Sequence, residues 1–374
     1  MQFYNPVNLI IGSGVRREIG QECINKQVLL FCTKSAYVRY KQDPVLRELF
    51  EIPSLALESS FDSNPSLSDM KEISIKYKDS NMDLIVGLGG GSAMDVAKIA
   101  CISIPAQQIG LNINDLLTNS EIFSTINAID CIQVPTTAGT GSEVTPFATV
   151  WDYENRQKKS LSNPAMFAKK AFIDPDFLRD TPVEISLSTG LDALNQAFES
   201  LWNVNANDYT RLLSKRAIKL ALSALPLINE IPKNLKIRDK LSMASLLAGL
   251  AISQTRTSIC HSISYPLTLK YGIPHGIACA FSMLEVYKYN LEYIKGEIEE
   301  IEYSLNRDPF SSLEDIFKHH KLNSYLANAL PNKTNFTDSI EEFITEGRFE
   351  NNIRKCNRKD LFKIIVDSYD KAVS

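Results

Sequence analysis

Histidine and glycine are the scarce residues of this 374-residue chain. There are four histidines and sixteen glycines, the latter about 4% where about 7% is usual. Four histidines leave few ways to build an imidazole-rich metal site or a histidine relay. No apolar run reaches the roughly 18 residues of a membrane span. The N-terminus, MQFYNPVNLIIGSG, lacks the basic and apolar stretches of a signal peptide. The seven cysteines are odd in number, scattered, and never spaced C-x-x-C. That excludes a zinc knuckle or a disulfide framework and points to a reducing cytoplasm. Basic excess is also missing: 40 Lys and Arg stand against 44 Asp and Glu, a net charge of −4. Neither nucleic acid nor a membrane is therefore an expected partner. What is present is ordinary for a folded protein, 44% hydrophobic and 22% charged residues in a length that suits two domains.

The first half alternates short apolar runs with helical patterns. Residues 8–11, 28–32, 84–86, 130–135 and 171–173 read as strands, the run VLLFC being continuous as in a buried parallel strand. Residues 66–79 and 93–102 read as helices. This order predicts a parallel α/β layer structure. Beyond Pro182, 3.6-residue periodicity takes over in residues 183–201, 210–227, 238–255 and 278–293. Thr181, Pro182 and Glu184 suggest a capping box with proline at the first helical position. The expected division is residues 1–178, an α/β dinucleotide-binding domain, and residues 179–374, an all-helical domain.

Six of the sixteen glycines fall in two segments. Residues 83–98, DLIVGLGGGSAMDVAK, run from an apolar strand through glycines into a helical pattern. Glycines admit backbone amides close to an anion, the helix N-terminus adds partial positive charge, and Ser92 can cap the helix and donate to a phosphate. A pyrophosphate is the expected guest. A tight strand-to-helix turn that binds nothing is the alternative. The spacing fits neither G-x-x-x-x-G-K-[ST] nor the usual G-x-G-x-x-G. The second segment, VPTTAGTGSEVT at residues 134–145, is dense in hydroxyls and reads as a second wall of that pocket or as a polar surface loop.

In the helical half, Asp192 and Gln196 share a helix face in GLDALNQAFES. His261 and His275 flank a Pro-containing segment. One carboxylate, one amide oxygen and two imidazoles suit Fe²⁺ or Zn²⁺, although such residues are also common in cores. Cys260 and Cys279 read as small buried side chains rather than thiolate ligands.

GGGSAMDVAK, VPTTAGTGSE, FIDPDF, TGLDAL and PHG occur in this order in the iron-containing (group III) alcohol dehydrogenases, whose fold dehydroquinate synthase shares. The chain resembles that family over essentially its whole length. The resemblance implies the dehydroquinate synthase-like fold, NADPH or NADH as cofactor, and a small aldehyde or alcohol substrate in a homodimer. It implies that Gly89, Gly90, Gly91 and Ser92 hold the pyrophosphate, and that Thr136, Thr137, Ser142, Thr145 and Lys158 line the cofactor site. It implies an Asp and three His as metal ligands. Asp192, His261 and His275 match three of these, and Gln196 stands at the fourth.

A second departure is Tyr265, where relatives carry a histidine near the nicotinamide; it either relays a proton or fills the pocket. These departures, with DALNQAFESLWNVNAN, resemble the phosphonoacetaldehyde reductase branch. A phosphonate needs fixed cations, for which Arg256 is the first choice and Lys270 a second. After the strand at residues 28–32, Thr33 is followed by Lys34 where NAD-specific relatives carry an Asp, so NADPH is expected to be accepted. Two rival activities remain: a lyase resembling dehydroquinate synthase, and a nucleotide binder without catalysis.

Overall fold

The computed structural model describes residues 2–62, 64–155, 157–337 and 340–373. The chain forms two compact units. One comprises Asn5–Thr137 and Ser142–Leu178, the other Met1–Tyr4, Ala138–Gly141 and Arg179–Ser374.

The first unit is an α/β layer structure. Its strands are β1 (Asn8–Ile11), β2 (Val28–Phe31), β3 (Leu55–Glu58), β4 (Leu84–Gly89), β5 (Asp130–Pro135), β6 (Phe147–Asp152), β7 (Gln157–Ser162) and β8 (Lys170–Ile173). Six of them form a parallel sheet in the order β1-β8-β5-β4-β2-β3, and β6 and β7 form an antiparallel hairpin. The apolar run of β2 is buried on both faces. Leu29 and Phe31 join one core cluster with Ile85 and the helix Gly91–Gln108; Val28 and Leu30 join another with Ile19, Cys23 and Tyr40. Alternate side chains thus feed opposite faces, as strand geometry requires.

The helix Gly91–Gln108 is buried on nearly all sides. Pro105 within it removes the bond that Cys101 O would accept. Ile129 N donates to that carbonyl instead, at 3.0 Å. Lys98 is fully buried in the same helix. It donates to Ser142 O (2.9 Å), Thr145 O (3.3 Å), Thr145 Oγ1 (3.2 Å) and Phe147 O, with Asp95 at 3.3 Å. One cation thereby satisfies the carbonyls of the segment leading into β6, where hydrogen bonds to a charged donor are the stronger kind.

The second unit is helical. Its principal helices are Val183–Leu201, Asp208–Ala224, Leu235–Thr255, Ile259–Tyr271, His275–Asn290 and Arg358–Val373. Asn207 and Asn234 cap the second and third, starting them two or three residues before the apolar periodicity does. The capping box expected at Thr181 does not form. Pro182 itself holds the cap position without a side-chain cap bond, and the helix begins at Val183. Buried Arg238 instead ties this end, donating to Thr181 O (2.9 Å) and Ser186 Oγ. Among the described residues no helix is long and apolar enough to cross a membrane.

Candidate active site

In the α/β unit the chain runs from β2 outward to β3 and returns to β4 on the other side of β2. That reversal opens a crevice at the carboxyl ends of β2 and β4, where nucleotides bind in open parallel sheets. Thr33 and Lys34 follow β2. Thr33 caps the next helix, accepting from Ala36 N at 3.3 Å, and Lys34 is exposed. The glycine turn follows β4. The strand continues through Gly89, which pairs in register with Pro135. Gly90 is then the helix cap and Gly91 the first helical residue. Ser92 therefore lies inside the first turn and is not the cap, a correction caused by the strand running further than its apolar residues suggest. First-turn amides have no intrahelical partners and suit a phosphate. Gly87 packs too tightly for any side chain: a Cβ there would lie 2.5 Å from Gln133 Oε1 and 2.9 Å from Ala97 Cβ.

Thr136 and Thr137 follow the neighbouring β5. Thr136 N donates to Gly89 O (2.9 Å), its hydroxyl meets Tyr40, and Thr137 borders Gly90. Ser142 and Thr145 are buried: Ser142 Oγ donates to Asp95 (2.5 Å) and Thr145 Oγ1 accepts from Lys98. Lys158 lies on β7, its ammonium 5.4 Å from the centre of the Trp151 ring. Burial pushes the neighbouring Glu143 carboxyl up to about 7.

In the helical unit Asp192, His261, His275 and Cys279 converge, one donor atom of each lying within 4.8 Å of the others. Asp192 comes from the helix Val183–Leu201, His261 from Ile259–Tyr271, and His275 and Cys279 from successive turns of His275–Asn290. His261 Nε2 is 3.3 Å from Asp192 Oδ1, and Cys279 Sγ is 3.8 Å from His275 Nε2. Gly276 makes the convergence possible. A Cβ there would lie 1.7 Å from Ser188 O and 3.0 Å from Asp192 N, so only glycine lets this helix start against the Asp192 helix.

Glu199 completes the arrangement. Fully buried, it lies 2.5 Å from His261 Nδ1 and accepts from the backbone N–H of Ser258 (3.0 Å) and His261 (3.1 Å). A carboxylate on Nδ1 leaves Nε2 facing the cluster, the usual second partner of a metal-binding imidazole. Burial opposes ionisation of Asp192 and Glu199, but the imidazoles beside them outweigh it and hold both carboxyls below the ordinary range. Sequence reasoning missed Glu199, although it stands seven residues after Asp192 on the same helix face. Cys279 is buried, as expected of a small packed side chain, and it also stands inside the donor cluster, four residues after His275.

Gln196 reaches the same cluster. It is buried and bonds Asp192; its Nε2 lies 3.5 Å from Thr140 O, and its Oε1 has no partner among the described residues. A buried acceptor without a donor beside an acid and two imidazoles is what a cation site presents before its ion. The donor set fits a divalent ion of borderline softness.

Tyr265 stacks on His275, ring centres 6.2 Å apart and planes 12° from parallel. Arg256 ends the helix Leu235–Thr255 with φ 66° and ψ 178°, a strained conformation for a residue with a side chain. Burial, and then the nearby Arg348, push its guanidinium down to about 10, while Tyr265 opposes them. Arg348 was not foreseen. Lys270 pairs with Glu342 instead.

Comparison with known proteins agrees with this geometry. Residues 6–175 match the iron-containing alcohol dehydrogenase profile, and residues 186–369 match the C-terminal profile of the Fe-containing alcohol dehydrogenase family. The chain is 35% identical to the 1-propanol dehydrogenase of Salmonella typhimurium, over 55% of this chain and 51% of that protein. It is 36% identical to the phosphonoacetaldehyde reductase of Streptomyces viridochromogenes, over 56% and 53%. The chain thus spans about half the length of these curated relatives. The solved iron-containing alcohol dehydrogenase of Thermotoga maritima superposes with a TM-score of 0.85 over 99% of both chains, at 26% identity. From its sheet order, its converging donors and both profiles, the chain belongs to the iron-containing alcohol dehydrogenase family.

Proposed function

We propose that this chain is a metal-dependent NAD(P)H oxidoreductase interconverting a small aldehyde and its primary alcohol, with phosphonoacetaldehyde as the favoured aldehyde. Residues 1–178 serve as the cofactor domain and residues 179–374 as the metal and substrate domain. The observation that carries the reading is the convergence of Asp192, His261 and His275, with Glu199 behind His261. When bound, a nicotinamide supplies the hydride, and Fe²⁺ or Zn²⁺ acts as Lewis acid toward the carbonyl oxygen.

The residues divide the remaining work. Gly89, Gly90, Gly91 and Ser92 hold the pyrophosphate at the helix N-terminus, with Thr136 and Thr137 beside them. Lys34 accepts a 2′-phosphate, since it is exposed at the end of β2. Asp192, Gln196, His261 and His275 surround the ion. Tyr265, its ring stacked on that of His275, gives the proton of its hydroxyl to the carbonyl oxygen as the alcohol forms and regains one from solvent. Arg256, with Arg348 near it, supplies the positive field that a phosphonate requires. The related phosphonoacetaldehyde reductase supports that choice of anion.

Consumption of NADPH and NADH over a panel of aldehydes is the test, with propionaldehyde and phosphonoacetaldehyde as its poles. Phosphonoacetaldehyde should give the higher kcat/KM. Arg256→Ala should raise its KM roughly 10- to 100-fold, since hydrogen bonds to charged groups contribute about 1.5–3 kcal/mol, and leave propionaldehyde nearly unaffected. Equal kcat/KM for both aldehydes would remove the phosphonate. No net NADPH consumption with any aldehyde would remove the dehydrogenase and favour the lyase.

A further inference from the structure

We propose that Cys279 ligates the metal of this chain as a thiolate, giving an Asp192–His261–His275–Cys279 donor set in which Gln196 orients Asp192 instead of binding the ion. The inference rests on the metal-dependent reading above and concerns which atoms hold the ion.

Geometry is the first argument. With metal–nitrogen or –oxygen bonds of about 2.0–2.1 Å and metal–sulfur bonds of about 2.3 Å, tetrahedral ligands stand about 3.3–3.6 Å apart. The oxygen of Asp192 and Nε2 of His261 are 3.3 Å apart; Sγ of Cys279 and Nε2 of His275 are 3.8 Å apart. All four donors fall within 4.8 Å of one another. The pair on the helix His275–Asn290 is fixed by helical spacing, because residues four apart lie one above the other on one face. Gly276, between them in sequence, lets that face press on the backbone of the Asp192 helix.

Charge is the second argument. Asp192, His261 and Cys279 are all buried. A buried ion is costly unless paired. Asp192 is the one carboxylate among the donors that touch the ion, Glu199 standing behind His261, and a thiolate adds a second anionic donor at the ion itself, which an amide does not. On binding, the metal–sulfur bond forms and the thiol proton leaves to solvent. Gln196 is the weaker donor because its amide oxygen is uncharged; its amide N–H bonds Asp192. Its unpartnered Oε1 remains a second indication that a cation or its bound water is needed here.

Thiolate ligation shifts preference toward Zn²⁺ over Fe²⁺ and is visible without turnover. The zinc-loaded full chain should show sulfur at about 2.3 Å in X-ray absorption. Its cobalt-substituted form should show a near-ultraviolet sulfur-to-metal charge-transfer band. Cys279→Ser should abolish that band and weaken zinc binding roughly a hundredfold, while Cys260→Ser keeps both. Zinc bound stoichiometrically with only nitrogen and oxygen neighbours would overturn the thiolate and leave the metal enzyme standing. Absence of any bound metal would overturn both. Should Cys279→Ser fail to fold, the absorption spectrum of the unaltered chain decides.

Discussion

Replacing Gly276 with alanine perturbs the Asp192–His261–His275–Cys279 cluster without touching any donor atom. The new Cβ would stand 1.7 Å from Ser188 O and 3.0 Å from Asp192 N. Close C–H···O contacts lie at about 3.3 Å or more, so the His275 helix has to withdraw by about 1.6 Å. Neither neighbour can yield cheaply. Ser188 and Asp192 are i and i+4 in one helix, and their backbone groups belong to its hydrogen-bond ladder. A strain of this kind against backbone sits at the upper end of overpacking costs, about 3 kcal/mol. For a unit of roughly 200 residues that is about 6–12 °C in Tm.

The consequence for the site is separate from the loss of stability. His275 and Cys279 ride on the displaced helix, while Asp192 and His261 stay. At zinc concentrations near a hundredfold excess over Kd, the unaltered protein gains about 2.7 kcal/mol from the ion. A hundredfold loss of affinity reduces that gain to about 0.4 kcal/mol. Thermal unfolding of both proteins, metal-free and with zinc, reads the two effects independently. An alanine variant that melts at the unaltered temperature and keeps the full zinc-induced rise would refute the claim that Gly276 sets this approach.

Three further perturbations follow from the same contacts. Glu199→Gln removes the charge behind His261 and should weaken zinc binding about 10- to 100-fold with unchanged circular dichroism; unaltered zinc affinity by calorimetry would deny Glu199 its orienting role. Lys98→Met leaves Asp95 and three carbonyls without their shared cation and should cost about 3–5 kcal/mol in urea unfolding; a loss below about 1 kcal/mol would be incompatible with that network. Glu58 is held at about 2, because bonds from Lys76 and Ser60 overcome the upward push of burial. Its folded value is depressed, so its stabilisation is complete above the ordinary glutamate value of 4.5 and fades as pH falls toward 2. After discounting for the exposed Lys76 it contributes about 2 kcal/mol. The stability gap between the unaltered chain and Glu58→Gln should therefore narrow from pH 6 to pH 3, and a constant gap would contradict the assignment.

The parallel sheet was legible because its central strands are buried on both faces, which leaves continuous apolar runs such as Val28–Phe31. β3 was not legible. It is an edge strand, only partly covered over Leu55–Leu57, and LALE alternates too little to stand out. The hairpin strand β7, QKKSLS, is mostly exposed or half-exposed and carries no hydrophobic signature. Ends of elements failed for another reason. The termination of β4 at Gly89 rather than Val86 depends on pairing with β5, and the entry at Pro182 depends on Arg238, more than fifty residues away.

The site divides in the same way. Asp192 and His275 stand in the motifs TGLDAL and PHG, His261 stands before the Pro-containing segment, and the fold brings the three side chains together. Glu199 and Cys279 were present at equally regular spacings, seven after one ligand and four after another. A glutamate or cysteine in a helix has many ordinary reasons to be there, so spacing alone did not separate ligand from filler. What separates them is what each faces. Glu199 is buried against an imidazole nitrogen and two backbone amides, and a carboxylate in such a place is there to be bonded. Cys279 lies beside two imidazoles and a carboxylate with no sulfur partner for a disulfide. The amide at Gln196 reads differently in that company. Taken alone it looks like a ligand lost from a four-residue set, and with Cys279 in view the set regains its fourth donor from another helix.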